Sequence, residues 1–164
     1  MKILYYLPIK TKFINKWEFY KPDIDVLYEQ AEIKVVNNFF KFLYNFIFYD
    51  VIYCMWWHRS CIAIIISKIF RKKTVCTGAI HFEDKSGEQT WFRSSIFYRL
   101  TNILALNLTD FNIFFSKQQM FQFKKYLKIK NGYLLRLKIN KSLNLKLNEK
   151  FPKKISKNIK LVLT

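Results

Sequence analysis

Six short, mostly apolar runs are spaced along the chain and are separated by segments long enough to hold a helix. The runs occupy residues 2–7, 33–36, 51–54, 74–77, 111–115 and 133–137. Apolar runs of this length are typical of strands that are buried on both faces of a sheet. Their alternation with helix-length segments predicts an α/β fold, a Rossmann-like parallel sheet with helices on both faces.

Four of the intervening segments have the pattern of helices: residues 39–49, 60–70, 91–108 and the segment after Ser116. Ser60 and Ser116 are of a residue type that caps helices, and Gln119 completes a capping-box pattern with Ser116. The helix at 91–108 carries an apolar i, i+4 stripe: Phe92, Ile96, Leu100, Leu104 and Leu108, widened by Phe97 and Ile103. Such a stripe is the face that a helix normally packs against the core.

The chain carries 29 basic and 11 acidic residues, which gives it a net charge of +18. This excess favours an anionic partner, either nucleic acid, a membrane surface or a phosphorylated substrate. The same abundance of lysine is expected from the codon usage of an AT-rich genome, and both explanations stay open. The lysines lie in short scattered clusters rather than in one long basic block, so no specific nucleic acid is predicted as a partner.

Cys54, Cys61 and Cys76 lie in apolar runs without a CxxC pair. This arrangement predicts buried thiols of a cytoplasmic protein and no zinc site. The first residues lack the pattern of a signal peptide. Residues 39–70 are apolar enough to raise a membrane span as an alternative, but charged and polar residues interrupt them, so separate core elements are predicted.

The candidate functional residues follow the predicted strands, because ligands on parallel sheets bind at the carboxyl ends of the strands. Trp57, His58 and Arg59 follow the third strand. An indole ring can stack on a sugar or an apolar chain, and an arginine binds phosphate or carboxylate. Core packing for the tryptophan and a solvated histidine is the simpler alternative, and it stays open.

Gly78, His81, Glu83 and Asp84 follow the fourth strand. Gly78 permits a close backbone approach, and His81 fits a base or a contact to a substrate oxygen. Glu83 and Asp84 fit hydrogen bonds to sugar hydroxyls, with an ordinary surface loop as the alternative. Ser116, after the fifth strand, is predicted to cap a helix whose first amides can also meet an anion.

Several well-known motifs are absent from the sequence: GxGxxG, the P-loop, GxSxG, HExxH and DxD. No resident cofactor and no metal are therefore predicted, and no catalytic residue is singled out.

The order of these features resembles the N-terminal domain of family 4 glycosyltransferases, which have the GT-B fold. The resemblance rests on Asp-Val-Ile-Tyr at 50–53, on the 74–77 strand with its Gly-x-x-His loop, and on Asp-Phe-Asn-Ile-Phe-Phe-Ser-Lys at 110–117. It covers residues 1–140 and implies a Rossmann-like acceptor-side domain, one half of a GT-B fold. Residues 141–158 then correspond to a linker, and residues 159–164 to the first strand of a C-terminal domain.

The resemblance implies a glycosyltransferase that moves a sugar from a nucleotide-sugar donor to a glycan or a lipid-linked acceptor, such as a cell-envelope polysaccharide. In this family the C-terminal domain binds the donor, so the resemblance implies that this chain is a fragment, inactive alone, or the partner of a separate donor-domain chain. The implied location is the cytoplasm, with the inner face of the membrane as a peripheral site. The alternative is a non-enzymatic basic binding module for anionic membrane or nucleic acid.

Overall fold

The computed structural model describes residues 1–9, 24, 27–29, 31–80, 82, 91–129 and 131–134. These residues form six strands: β1 (Lys2–Tyr6), β2 (Glu32–Val36), β3 (Val51–Met55), β4 (Lys73–Thr77), β5 (Phe111–Phe114) and β6 (Gly132–Leu134). They also form four α-helices: α1 (Phe39–Asn45), α2 (Trp57–Ile69), α3 (Ile96–Leu108) and α4 (Lys117–Leu127). The predicted linker at 141–158, the predicted strand at 159–164 and residues 135–137 of the predicted sixth strand lie outside the described residues.

The six strands form one sheet in the order β2-β1-β3-β4-β5-β6. Every neighbouring pair is parallel, with Leu4 opposite Ile52 and Cys54 opposite Cys76 in the centre. The predicted Rossmann-like α/β fold is confirmed. Because all the strands run the same way, their carboxyl ends meet at one edge of the sheet, which we call the carboxyl edge.

Apolar side chains of the strands point alternately to two cores. On one face, strand residues such as Ile52 and Phe114 pack with all four helices, through residues that include Phe42, Ile64 and Phe123. On the other face, Tyr5 and Tyr53 stack on neighbouring strands with their ring centroids 4.8 Å apart. The helical residues Ile24 and Leu27 pack against this second core. Helical residues therefore lie on both faces of the sheet, as the sequence predicts.

The amino ends of β4 and β5 are joined to the end of α2 by the carboxylate of Asp110. Its Oδ1 accepts a hydrogen bond from Lys68 Nζ at 2.7 Å. Its Oδ2 accepts from the backbone N–H and the hydroxyl of Thr74, at 2.8 Å and 3.0 Å. Partial burial acts to raise the pKa of Asp110, but these hydrogen bonds outweigh it and the pKa is lowered. Asp110, the first residue of the motif that resembles the glycosyltransferases, thus ties two strands to a helix.

Three helix boundaries differ from the prediction. The helix at 39–49 is α-helical only to Asn45 and continues as a 3-10 turn at Phe46–Phe48. The helix at 91–108 is a 3-10 turn, Trp91–Arg93, followed by α3, whose cap is Ser95. The prediction that Ser60 caps a helix is wrong, since α2 begins at Trp57. Ser60 is buried, and its hydroxyl donates to Met55 O at 2.7 Å instead of accepting from an amide.

Most of the apolar stripe of the 91–108 segment does not face the core, although its last residue, Leu108, packs against it. Phe97, Ile96 and Leu100 are 78%, 69% and 59% exposed. The buried side of α3 consists of Asn102, Ala105 and Leu106. A sequence pattern shows that a helix has two unlike faces, and tertiary packing decides which of them turns inward. Here α3 packs closely on α2, and the more apolar side of α3 is left on the surface.

Residues 39–70, the alternative membrane span, fold as α1, a 3-10 turn, β3 and α2. Among the described residues, no helix has both the length and the apolar character needed to cross a bilayer.

Candidate functional site

The carboxyl edge brings together the residues that follow β3, β4 and β5, as the sequence predicts for a parallel sheet. Trp56 N–H donates to Thr77 O at 2.8 Å, which joins the ends of β3 and β4. Gln119 joins the ends of β4 and β5, because its Nε2 donates to Gly78 O at 2.7 Å and its Oε1 accepts from Phe115 N–H at 3.1 Å. Three strand ends are therefore held in one connected arrangement.

The backbone at Trp56 is strained where β3 passes into α2. Its φ of 65° lies in the left-handed region, which is costly for a bulky side chain. The consequence is that α2 begins at once, and His58 and Arg59 lie in its first turn rather than in a loop. Strained backbone of this kind clusters at ligand sites. Nothing local in the sequence marks Trp56 for this conformation.

Gly78 lies in close contact with this strained turn. A Cβ atom added to Gly78 would meet the Trp57 ring at 3.1 Å and the backbone of Trp56 at 3.3 Å. The close approach predicted for Gly78 is therefore made to the chain's own backbone. A glycine is needed here so that the ends of β3 and β4 can lie side by side.

Trp57 lies inside the core. Its side chain is 1% exposed, and its ring packs against Phe114 and Phe123 with centroid distances of 5.9 Å and 5.1 Å. Its Nε1 donates to Asn112 Oδ1 at 2.8 Å. A ring enclosed in this way has no face to offer a sugar, so we assign Trp57 to packing and not to ligand contact.

His58 is half-buried and its ring contacts the ring of Tyr98 of α3 in a tilted arrangement, with ring centroids 4.7 Å apart. Burial, and then the positive charge of Arg59, lowers the pKa of His58 from about 6.5 to about 4. The imidazole is therefore neutral at pH 7, so one ring nitrogen can donate a hydrogen bond and the other can accept one. Tyr98 was not predicted from the sequence, because it lies on a helix distant from His58 along the chain.

Arg59 is exposed in the first turn of α2, next to His58. It carries the positive charge of this part of the carboxyl edge, and the amino end of the helix dipole adds to it. Ser116 caps α4 as predicted, with its Oγ accepting from Gln119 N–H at 3.0 Å. His81, Glu83 and Asp84 lie outside the described residues.

The described residues provide neither a reactive thiol nor a cluster of metal ligands. The three cysteines are buried free thiols, as predicted, and burial raises the pKa of the Cys54 thiol to about 12. In the described part of the chain, no three His, Cys, Asp or Glu side chains come close enough to hold a metal ion. What the described edge offers a ligand is the guanidinium of Arg59, the ammonium of Lys117, the neutral imidazole of His58 and backbone groups.

The lowered pKa of His58 predicts that the stability of the folded chain depends on pH. Between about pH 6.5 and pH 4 the unfolded chain binds a proton at this residue that the folded chain does not, so stability should fall as the pH drops through this window. We expect the free energy of urea unfolding to fall more between pH 7 and pH 5 in the natural chain than in His58→Gln. An NMR titration of the His58 ring with a midpoint near its ordinary value would contradict the assignment.

The structure defines a Rossmann-like α/β protein, and its candidate ligand site lies at the carboxyl ends of β3, β4 and β5. No protein-family model and no curated protein matches the chain. Among solved structures, the chain is similar to the crystal structure of Anabaena Alr3699/HepE in complex with UDP, with a TM-score of 0.56 and 15% sequence identity. The match covers 90% of this chain and 50% of that chain, so the chain spans about half the length of HepE. At this identity the likeness establishes the fold.

Proposed function

We propose that the chain is the acceptor-side half of a GT-B glycosyltransferase of family 4, which transfers a sugar from a nucleotide-sugar to a glycan or a lipid-linked acceptor. The observation that carries the proposal is the carboxyl edge, where His58 and Arg59 follow β3 in the first turn of α2 and Gly78 follows the neighbouring parallel strand β4. Such edges are where doubly wound sheets bind ligands. The likeness to a structure in complex with UDP supports it, since UDP is the leaving group of a UDP-sugar.

Arg59 is the residue that we propose for contact with an anionic group of the acceptor. A lipid-linked acceptor carries phosphate next to its sugar, and a guanidinium binds phosphate with two parallel hydrogen bonds. The neutral imidazole of His58, which contacts the ring of Tyr98, is adjacent to Arg59 in sequence. We propose that it forms a hydrogen bond with a sugar hydroxyl. His81, Glu83 and Asp84 stay predicted contact residues of the same edge.

The proposed transfer also needs a donor site. In our proposal a second domain or a separate chain binds the nucleotide-sugar, and transfer occurs when the two halves close on each other. The chain alone should then bind an acceptor and release no UDP from a UDP-sugar. UDP release catalysed by the chain alone would contradict this division of labour.

The test is a binding titration with a water-soluble, short-chain prenyl diphosphate that carries one sugar. Arg59→Gln should raise the Kd roughly tenfold, because a charge-assisted contact is lost. Arg71→Gln is the matched control, since Arg71 is also exposed but follows the opposite end of α2. We expect Arg71→Gln to leave the Kd within about twofold of the natural value.

Two results would overturn the proposal. One is an equal rise of the Kd in Arg59→Gln and Arg71→Gln, which would mean that the diphosphate is attracted by the overall positive charge. The other is a Kd for the corresponding sugar-free alcohol phosphate that is as low as the Kd for the sugar-bearing compound. This result would mean that the chain does not recognise the sugar.

A further inference from the structure

The outer surface of α3 carries exposed apolar residues from Ile96 to Leu104. Five residues define it, and we call them the α3 outer face: Ile96, Phe97, Leu100, Ile103 and Leu104. They recur at helical spacing, so they lie on one side of the helix. Phe92, in the 3-10 turn just before α3, is exposed as well. An exposed apolar patch of this kind on a protein marks an interaction surface.

Among the described residues, the charges on the helices of this layer are all of one sign. No helix of the layer formed by α1, α2, α3 and α4 contains an acidic residue. The helices carry seven basic residues: Lys41, Arg59, Lys68, Arg99, Lys117, Lys124 and Lys125. In the described part of the chain, the acidic side chains are Glu29, Glu32, Asp50 and Asp110, all outside these helices. Arg93 and Arg99 are the basic residues nearest in sequence to the exposed aromatic rings of Phe92 and Phe97.

We infer that the α3 outer face docks on an anionic lipid bilayer, with Phe97 and Leu100 in the headgroup region and Arg99 near lipid phosphates. Aliphatic and aromatic side chains beside basic residues, without acids, are what a helix that lies in a membrane interface presents. Nucleic acid would gain little from exposed isoleucine and leucine, since it is bound through phosphate contacts and base edges. A bilayer satisfies both the apolar surface and the excess of positive charge.

The arrangement also places the docked surface close to the candidate site. Tyr98, in the first turn of α3, contacts the ring of His58 at the carboxyl edge. A bilayer under α3 would therefore bring lipid-linked molecules to that edge, a consequence that rests on the proposed function. The docking itself does not rest on it, because it depends only on the exposed apolar face and the charges.

The test is co-sedimentation of the full chain with phosphatidylcholine vesicles that contain either no anionic lipid or about 30 mol% phosphatidylglycerol. We expect binding to the anionic vesicles and much weaker binding to the neutral ones. Phe97→Ser/Leu100→Ser should lower the partition coefficient roughly tenfold or more, because two apolar side chains no longer enter the interface. The control is Phe111→Ser, which removes an exposed apolar ring from the opposite face of the sheet and should change the coefficient by less than about twofold.

A second measurement covers the case in which the double variant fails to fold. Phe97→Cys can be labelled with an environment-sensitive dye, because the natural cysteines are buried. Its emission should shift to the blue when anionic vesicles are added, whereas a label at Lys117 on α4, placed by Lys117→Cys, should shift less.

Three results would overturn the inference. The chain could stay in the supernatant with both kinds of vesicle at low salt. Binding could persist unchanged in the Phe97→Ser/Leu100→Ser variant, which would make it purely electrostatic. Light scattering could show a dimer that the same variant dissociates, which would make the α3 outer face a contact between two copies of the chain.

Discussion

Replacing Trp57 with alanine is expected to lower the free energy of unfolding by about 3–5 kcal/mol, the range for large core residues. The ring fills the space between β5 and α4, against Phe114 and Phe123. Its removal leaves a cavity and also leaves Asn112 Oδ1 without the hydrogen bond from Nε1. Urea unfolding followed by circular dichroism measures the loss.

Two further variants separate the causes. Trp57→Phe keeps an aromatic ring but removes the N–H donor and leaves a smaller cavity, so it should cost less than the alanine variant, about 1–3 kcal/mol. Phe97→Ala removes an exposed ring of the α3 outer face and should change the stability by less than about 0.5 kcal/mol. Equal losses in Trp57→Ala and Phe97→Ala would show that the Trp57 ring is not part of the core.

Replacing Asp110 with alanine is expected to cost about 2–3 kcal/mol, because three hydrogen bonds to one carboxylate are lost together. The N–H and hydroxyl of Thr74, a fully buried residue, lose their acceptor. Because the pKa of Asp110 is lowered, its contribution is present above the ordinary pKa of an aspartate and is lost as the pH falls below it. The free energy of unfolding of Asp110→Ala should therefore fall less with decreasing pH than that of the natural chain.

Asp50→Ala is the matched control for Asp110→Ala. Asp50 also precedes a strand, and its carboxylate accepts a hydrogen bond from the backbone N–H of Lys2 at 2.9 Å, but at an exposed position. It should cost about 0.5–1 kcal/mol. If the two alanine variants were equally stable, the contacts of Asp110 with Lys68 and Thr74 would contribute nothing beyond a single exposed hydrogen bond.

The sheet could be predicted from the sequence because its strands are short apolar runs with clear breaks. The strands at 51–54 and 74–77 are each one residue longer in the structure, at Met55 and Lys73. The position of the candidate site followed from the same pattern, since the carboxyl ends of parallel strands must share an edge. Ser116 was predicted correctly as a cap because the signal is local.

The remaining features depend on contacts between distant residues. Ser60 failed as a cap because Trp56 takes a left-handed conformation that starts α2 earlier, and no local rule predicts this for a tryptophan. The contact between His58 and Tyr98 exists only once α2 and α3 lie side by side. The α3 stripe was expected inside because a periodic pattern identifies a face and not its direction.

The two edges of the sheet differ in how their backbone is held. Asp110 fastens the amino ends of β4 and β5 with charge-assisted hydrogen bonds, whereas the carboxyl end of β3 contains the strained residue Trp56. The hydrogen bonds that join the carboxyl ends, from Trp56 and Gln119, are between neutral groups and are weaker than those of the Asp110 carboxylate. On warming, amide hydrogen exchange should therefore become fast at the carboxyl ends of β3 and β4 before it does at the amino ends of β4 and β5.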